Sequence, residues 1–337
     1  MKVEIVGGLV AASLVVAAIA IGSGGLRHFD PALTHYAFAS VIAAFAVAYR
    51  YGGWLGRPPT RRLLRRVLEL ALERGFARQG AHAAGLAAAR LGAQSFIARR
   101  SRLRWVTHFC LSWGSMLAFA ITFPLVFGWV HFETAPTEAE TYRAVLFGIV
   151  LDDFSVHSWK AFAAFNALNL SAILVLVGVA LALYRRLREA GDFAVQQLAV
   201  DILPLVLLFA VSATGLLLTI SSRALGGGGY PFFAVTHAAT VIALLLYLPF
   251  GKLFHAVQRP AHVGIGLYKR AAASGAAARC VRCGAAFASA MQVADLKHVL
   301  GALAIEPRFA DGLHYQDVCP GCRRRLLALN QGRLVGR

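Results

Sequence analysis

Residues 161–184 read AFAAFNALNLSAILVLVGVALALY, 24 positions without one charged side chain. A helix rises about 1.5 Å per residue, and about 20 mostly apolar residues suffice to cross a hydrocarbon core of about 30 Å. Five other stretches meet the same requirement: Val3–Gly22, 33–52, 105–130, 202–221 and 233–254. The expected fold class is therefore an all-α integral membrane protein, a bundle of about six transmembrane helices. Composition agrees. The chain is 58% hydrophobic and 15% charged, whereas a soluble domain is about 45–50% apolar and about 25% charged, so an ordinary soluble domain is excluded.

Net charge is +18, a balance that in a soluble protein would point to nucleic acid. Here it sorts by loop. The segment 53–104 carries 12 Lys/Arg, 185–201 carries 3, and the stretch from Gly251 onward carries 13. The alternate loops hold only Arg27, Arg143, Lys160 and Arg223 against Asp30, Glu133, Glu138, Glu140, Asp152 and Asp153. Basic loops stay in the cytoplasm, so the expectation is a multi-pass protein of the cytoplasmic (inner) membrane with both termini inside. The bilayer is then the partner that explains the charge, and no nucleic acid is needed. The first apolar stretch, at 20 residues, reads as an anchor rather than a cleaved signal peptide. Within 53–104, apolar residues at helical spacing (Leu64, Val67, Leu68, Ala71, Leu72) alternate with arginines. They predict amphipathic helices that either lie on the inner leaflet or dock a cytoplasmic partner.

Ionisable side chains at membrane depth are costly and usually functional. His108 falls near the inner start of the third span, His237 near the outer start of the last, and His255 at its inner end. On one continuous helix, the 18 residues from His237 to His255 make five whole turns and place both rings on one face, about 27 Å apart. That arrangement suits two planar cofactors stacked across a bilayer, each held by imidazoles from facing helices.

The stretch FFAVTHAATVIALLLYLPFGKLFHAVQRP (232–260) resembles the last span of the gamma subunit of respiratory nitrate reductase and its relatives in membrane heterodisulfide-reductase-like and sulfite-reductase-associated complexes. The resemblance extends to AVDILPLVLLFAVSATGLLLTI (199–220), AYRYGGWLGR (48–57) and THFCLSWG (107–114), covering roughly residues 33–262. It implies a membrane cytochrome b subunit passing electrons between menaquinol or ubiquinol and a cytoplasmic iron–sulfur or reductase subunit. It also implies that His108 and His255 are axial ligands of a haem b near the cytoplasm, that His237 is one ligand of an outer haem, and that Lys160 lies beside the quinol site. Two-haem members carry a second histidine ten residues after the first, where this chain has Ala118. One or two haems are thus compatible with the sequence, with His35 the expected second partner of His237.

The tail contains C280-V-R-C283-G and C319-P-G-C322-R. Two such C-x-x-C knuckles complete a tetrahedral S4 site, so Cys280, Cys283, Cys319 and Cys322 are expected to bind zinc as a zinc-ribbon-like module, or iron in a rubredoxin-like site. The organisation read from sequence is an N-terminal anchor (1–32), a haem-binding transmembrane region (33–262) with its amphipathic loop 53–104, and a metal-binding cytoplasmic tail (263–337). The competing class is a non-redox membrane protein, either a transporter or a scaffold that recruits a partner through the cysteine module. Against a transporter stand the lack of an internal repeat among the spans and the few Gly/Pro breaks within them.

Overall fold

The computed structural model describes residues 2–73, 76–135, 140–188, 196–309 and 311–335. It is mostly helical, and six helices are long and apolar enough to cross a membrane: Val3–Gly22, Pro31–Gly56, Arg102–Val126, Trp159–Arg188, Leu198–Ala224 and Tyr230–Tyr247. The described residues form two compact units, one from Met1–Gly52 with Ala93–Gln258 and the other from Gly53–Gly92 with Arg259–Arg337.

The first unit contains helices α1 (Lys2–Gly22) and α2 (Thr34–Gly56). Later in the chain come α5 (Arg102–Val126), α6 (Trp159–Arg188), α7 (Leu203–Ala224) and α8 (Tyr230–Tyr247). Small residues let α5 and α6 approach closely. A Cβ on Gly114 would lie 2.7 Å from Val175 Cγ2 and 2.9 Å from Ser171 O, and one on Gly178 would lie 2.7 Å from Leu111 Cγ. This is how helices associate where burying apolar surface gives no advantage over lipid. Val175, Val179 and Ala182 of α6 pack with Leu205, Leu208 and Leu244. Ser40, Ser171, Ser212 and Thr214 are buried, while Phe162, Leu170, Phe209 and Val235 are exposed. In water that distribution would be unfavourable; it is compatible with apolar side chains facing a bilayer.

The acidic connection between α5 and α6, expected only as a loop, is a three-stranded antiparallel meander: β1 (Val130–Thr134), β2 (Thr141–Leu146) and β3 (Ile149–Ser155). Val130 pairs with Leu146, and Leu146 with Ile149. The two-residue turn Phe147–Gly148 has φ of 50° and 80°, the paired positive values that make a tight hairpin follow the strand twist. Arg143 holds Asp153 across β2 and β3 through two hydrogen bonds of 3.0 and 2.9 Å.

The sequence expectation for the last span needs a correction. Its helix ends at Tyr247 rather than running through 254, and residues 248–251 turn before a short 3₁₀ segment, Lys252–Phe254, and a single turn, His255–Gln258. Pro249 supplies no N–H to continue the ladder, and its carbonyl accepts a hydrogen bond from the Arg50 guanidinium of α2, which also lies 4.7 Å over the Phe254 ring. His237 and His255 therefore do not share one helix, and the five-turn argument for placing them on one face fails.

The second unit pairs the basic loop with the tail, whereas the sequence reading assigned the loop to the transmembrane region. Helices α3 (Pro58–Glu73) and α4 (Phe76–Ala87) belong with α9 (Ala261–Ala273) and α10 (Ala290–Ala302). The link is electrostatic. Asp295, 5% exposed, accepts hydrogen bonds from Arg62 at 2.7 Å, from Arg66 at 2.7 and 3.2 Å, and from the Tyr268 hydroxyl at 3.1 Å. Strands β4 (Ala277–Arg279) and β5 (Ala286–Ser289) pair antiparallel, and helix α11 (Pro320–Val335) closes the chain.

Candidate functional site

His108 lies one and a half turns into α5, and His255 lies in the single turn after the Pro249 break. Their ring centroids are 6.3 Å apart with planes inclined by 68°. Two imidazoles bound on opposite sides of one metal ion, each at about 2.0–2.1 Å and with a nitrogen-to-centroid distance of about 1.1–1.2 Å, would have centroids about 6.2–6.6 Å apart, a range that includes this separation. The two rings are also held in matching tautomers. His108 Nδ1 meets Gln94 Oε1 at 2.8 Å, and His255 Nδ1 meets the Lys252 carbonyl at 2.6 Å. Both oxygens can only accept, so each Nδ1 carries a proton, which in the neutral ring leaves the lone pair on Nε2. A hydrogen bond from the second ring nitrogen to a carbonyl is the usual support for a metal-bound histidine. This donor set fits the haem that the sequence reading placed on His108 and His255.

Gln94 gave no signal in the sequence. It is 1% exposed and sits in the left-handed region at φ 51°, in the turn before the short helix Ser95–Ala98. The strained backbone turns its amide inward, and only the folded geometry identifies it as the acceptor for His108.

At the other end of the same spans, beside the sheet, lies a cavity of about 330 Å³. Its polar lining includes Tyr36, Asn169, Thr219 and His237, and the remainder is chiefly apolar. Phe165, also in the lining, packs 5.4 Å from Phe132 and 5.3 Å from Tyr142 of the sheet, centroid to centroid. His237 Nδ1 lies 2.9 Å from Thr214 Oγ1, whose own proton goes to the Ala210 carbonyl at 2.6 Å. His237 is therefore the donor at Nδ1 and again keeps its lone pair on Nε2.

The second ligand expected for an outer haem is not here. His35 is exposed and absent from the cavity lining; its neighbour Tyr36, 100° further round the helix, lines the cavity instead. Ala118 is in the lining as well, and among the described residues His237 is the only histidine in that lining. Lys160 is likewise outside the lining and forms a 2.5 Å ion pair with Asp152 on the exposed side of the sheet.

The four tail cysteines converge as the spacing predicts. Their sulfurs all lie within 4.8 Å of one another, and Cys283 Sγ to Cys319 Sγ is 3.8 Å, close to the edge of a tetrahedron with metal–sulfur bonds of about 2.3 Å. The Cys319 N–H points at Cys280 Sγ (3.3 Å) and the Cys322 N–H at Cys319 Sγ (3.4 Å). Such backbone donors, that of Cys319 above all, hold the Cys280 thiol well below its ordinary pKa, whereas the thiols of Cys319 and Cys283 push Cys322 well above it. A cation removes that conflict, because it favours ionisation of all four thiols. Cys280 is buried with Phe309 and Val318 in the small core of the module, Cys319 and Cys322 pack against that core, and Cys283 is exposed.

A further group, His28, His131 and Glu133, gathers beside the sheet. Its two rings stack at 4.5 Å, and His131 Nε2 lies 3.1 Å from Glu133 Oε1. No protein-family model, curated protein or solved structure matches the chain.

Proposed function

We propose that the chain is the membrane cytochrome b subunit of a quinol-dependent respiratory complex, exchanging electrons with a cytoplasmic iron–sulfur or reductase subunit. The observation that carries this reading is the His108–His255 pair: a 6.3 Å ring separation with both Nδ1 atoms bound to carbonyl oxygens. When bound, a b-type haem supplies reversible one-electron chemistry. The protein's part is to hold it, orient both imidazoles and surround it with a low dielectric.

The cavity beside the sheet suits a quinol headgroup, a flat apolar ring with two oxygens. Its walls are mostly apolar, its polar groups are few, and the His237 Nε2 lone pair would accept the hydroxyl proton. One haem then accounts for His108 and His255, and His237 serves the quinol. The Cys280, Cys283, Cys319 and Cys322 set would hold zinc structurally, since Cys280 is buried in the module's core and Cys319 and Cys322 pack against it.

Haem content of the purified full-length protein tests the proposal. One haem b per polypeptide, lost in both His108→Ala and His255→Ala and retained in His237→Ala, is the expected result. A value near two, falling to one in His237→Ala, would restore an outer haem. No haem in protein recovered from haem-replete cells would leave the non-redox reading.

A further inference from the structure

The run RRLLRR at 61–66 divides its arginines between two jobs. Arg62 and Arg66, one turn apart, are committed to Asp295. Arg61 and Arg65, spaced by the same step on the neighbouring face, have no acidic partner among the described residues. Together with Pro58, Arg62, His298 and Ala302 they line a surface pocket of about 60 Å³, roughly the share of two water molecules and enough for one compact anion. Guanidinium groups stay charged at any relevant pH and match phosphate oxygens two at a time. The pocket also lies at the first turn of α3, where the helix dipole is positive.

A second feature of α3 indicates the kind of anion. Leu64, Leu68 and Leu72 are 43%, 56% and 78% exposed. Leu64 and Leu68 each stand three residues beyond Arg61 and Arg65, 300° round the helix, so the leucine row runs beside the arginine row, about 60° from it. Only Arg57 separates the end of α2, at Gly56, from the start of α3, at Pro58, so α3 follows a candidate membrane span directly in the chain.

We infer that Arg61, Arg65 and His298 form a binding site for the phosphate of an anionic phospholipid, with the acyl chains lying along Leu64, Leu68 and Leu72. The inference rests on α2 as a membrane span and is independent of haem. It makes the chain's lipid partner specific in place and chemistry, beyond the general attraction of basic loops for an anionic leaflet.

Native mass spectrometry of the full-length protein, released from nanodiscs of mixed phosphatidylglycerol and phosphatidylcholine, is the test. The wild type is expected to retain one phosphatidylglycerol. Arg61→Ala/Arg65→Ala should lower retention at least tenfold, whereas Arg99→Ala/Arg100→Ala, which removes two exposed charges elsewhere, should leave it unchanged. Leu64→Asn/Leu68→Asn should lose the lipid yet still bind inorganic phosphate, which identifies the headgroup pocket as folded. Equal retention in the Arg61/Arg65 variant, or equal loss in the Arg99/Arg100 control, would overturn the proposal. So would a wild type that binds inorganic phosphate but retains no lipid, and the pocket would then belong to a free phosphate ligand.

Discussion

Gln94 shows how much of a histidine's behaviour is set by its neighbour. A ring with both nitrogens exposed to water exchanges tautomers freely, but His108 is fixed by one 2.8 Å bond to a buried amide. Gln94→Leu keeps most of the volume and removes the acceptor. We expect it to weaken haem retention by about 10–100-fold, the usual loss when a supporting hydrogen bond to a ligating histidine is removed. Haem titration of the apoprotein, read from the visible spectrum, measures this; wild-type affinity in Gln94→Leu would show that the bond does not support ligation. Cys322→Ser tests the other site at the same scale, because three sulfurs leave a tetrahedral ion short of one ligand. Bound metal in the full chain should fall from about one equivalent to less than about a tenth, as counted by elemental analysis, and a colourless wild-type site would mark the metal as zinc rather than oxidised iron.

At the scale of helices and strands, the sequence was legible where one physical rule dominated. Long apolar runs gave the six spans, and the paired C-x-x-C motifs gave the cysteine cluster, because neither depends on distant partners. The end of α8 was misread for a related reason. Hydropathy runs on through LLLYLPFGKLF, but Pro249 stops the ladder, and a periodicity argument across it does not survive. The meander was hidden because its strands are only 5 to 7 residues long and partly exposed. The union of loop and tail depends on Arg62 and Arg66 meeting Asp295 more than 200 residues later, which no local pattern records.

That union has a pH signature. Burial works against ionisation of Asp295, but hydrogen bonds from Arg66, Arg62 and Tyr268 outweigh it and hold the carboxyl below its ordinary range. A depressed acid contributes stability above its unfolded pKa of about 3.9 and loses that contribution as pH falls through the folded value. Tyr268 behaves oppositely. Burial, then the Asp295 charge, push its hydroxyl up to about 12, so stability declines as pH rises from about 10, where the unfolded phenol ionises. Thermal melts of the full chain should therefore show a plateau bounded on both sides. Tyr268→Phe should soften the alkaline edge, and Asp295→Asn should lower stability by about 1–3 kcal/mol at neutral pH, because it leaves two guanidinium groups without their charge partner. A melting temperature unchanged by Asp295→Asn would mean that the ion pairs are incidental to the packing of this unit.

For the molecule as a whole, the second unit constrains the membrane topology independently of charge. Gly53–Gly92 and Arg259–Arg337 fold into one compact body, so the chain between them must cross the bilayer an even number of times. Four candidate spans lie in that interval, α5 to α8 with their flanking turns, and two precede it. With all six spans crossing, the loop and the tail are expected on one side and the β1–β3 meander, reached after the third crossing, on the other. The distribution of Lys and Arg carries the orientation we propose: 12 basic residues in 53–104 and 13 from Gly251 onward, against few around the sheet, favour a cytoplasmic second unit. Ser155 ends β3 and is exposed, and the native Cys283 is exposed in the second unit. In intact cells, a membrane-impermeant maleimide should therefore label Ser155→Cys and leave the tail thiols unmodified; after lysis and metal chelation it should label both. Labelling of Cys283 in intact cells, with Ser155→Cys protected, would invert the proposed orientation of the protein in the membrane.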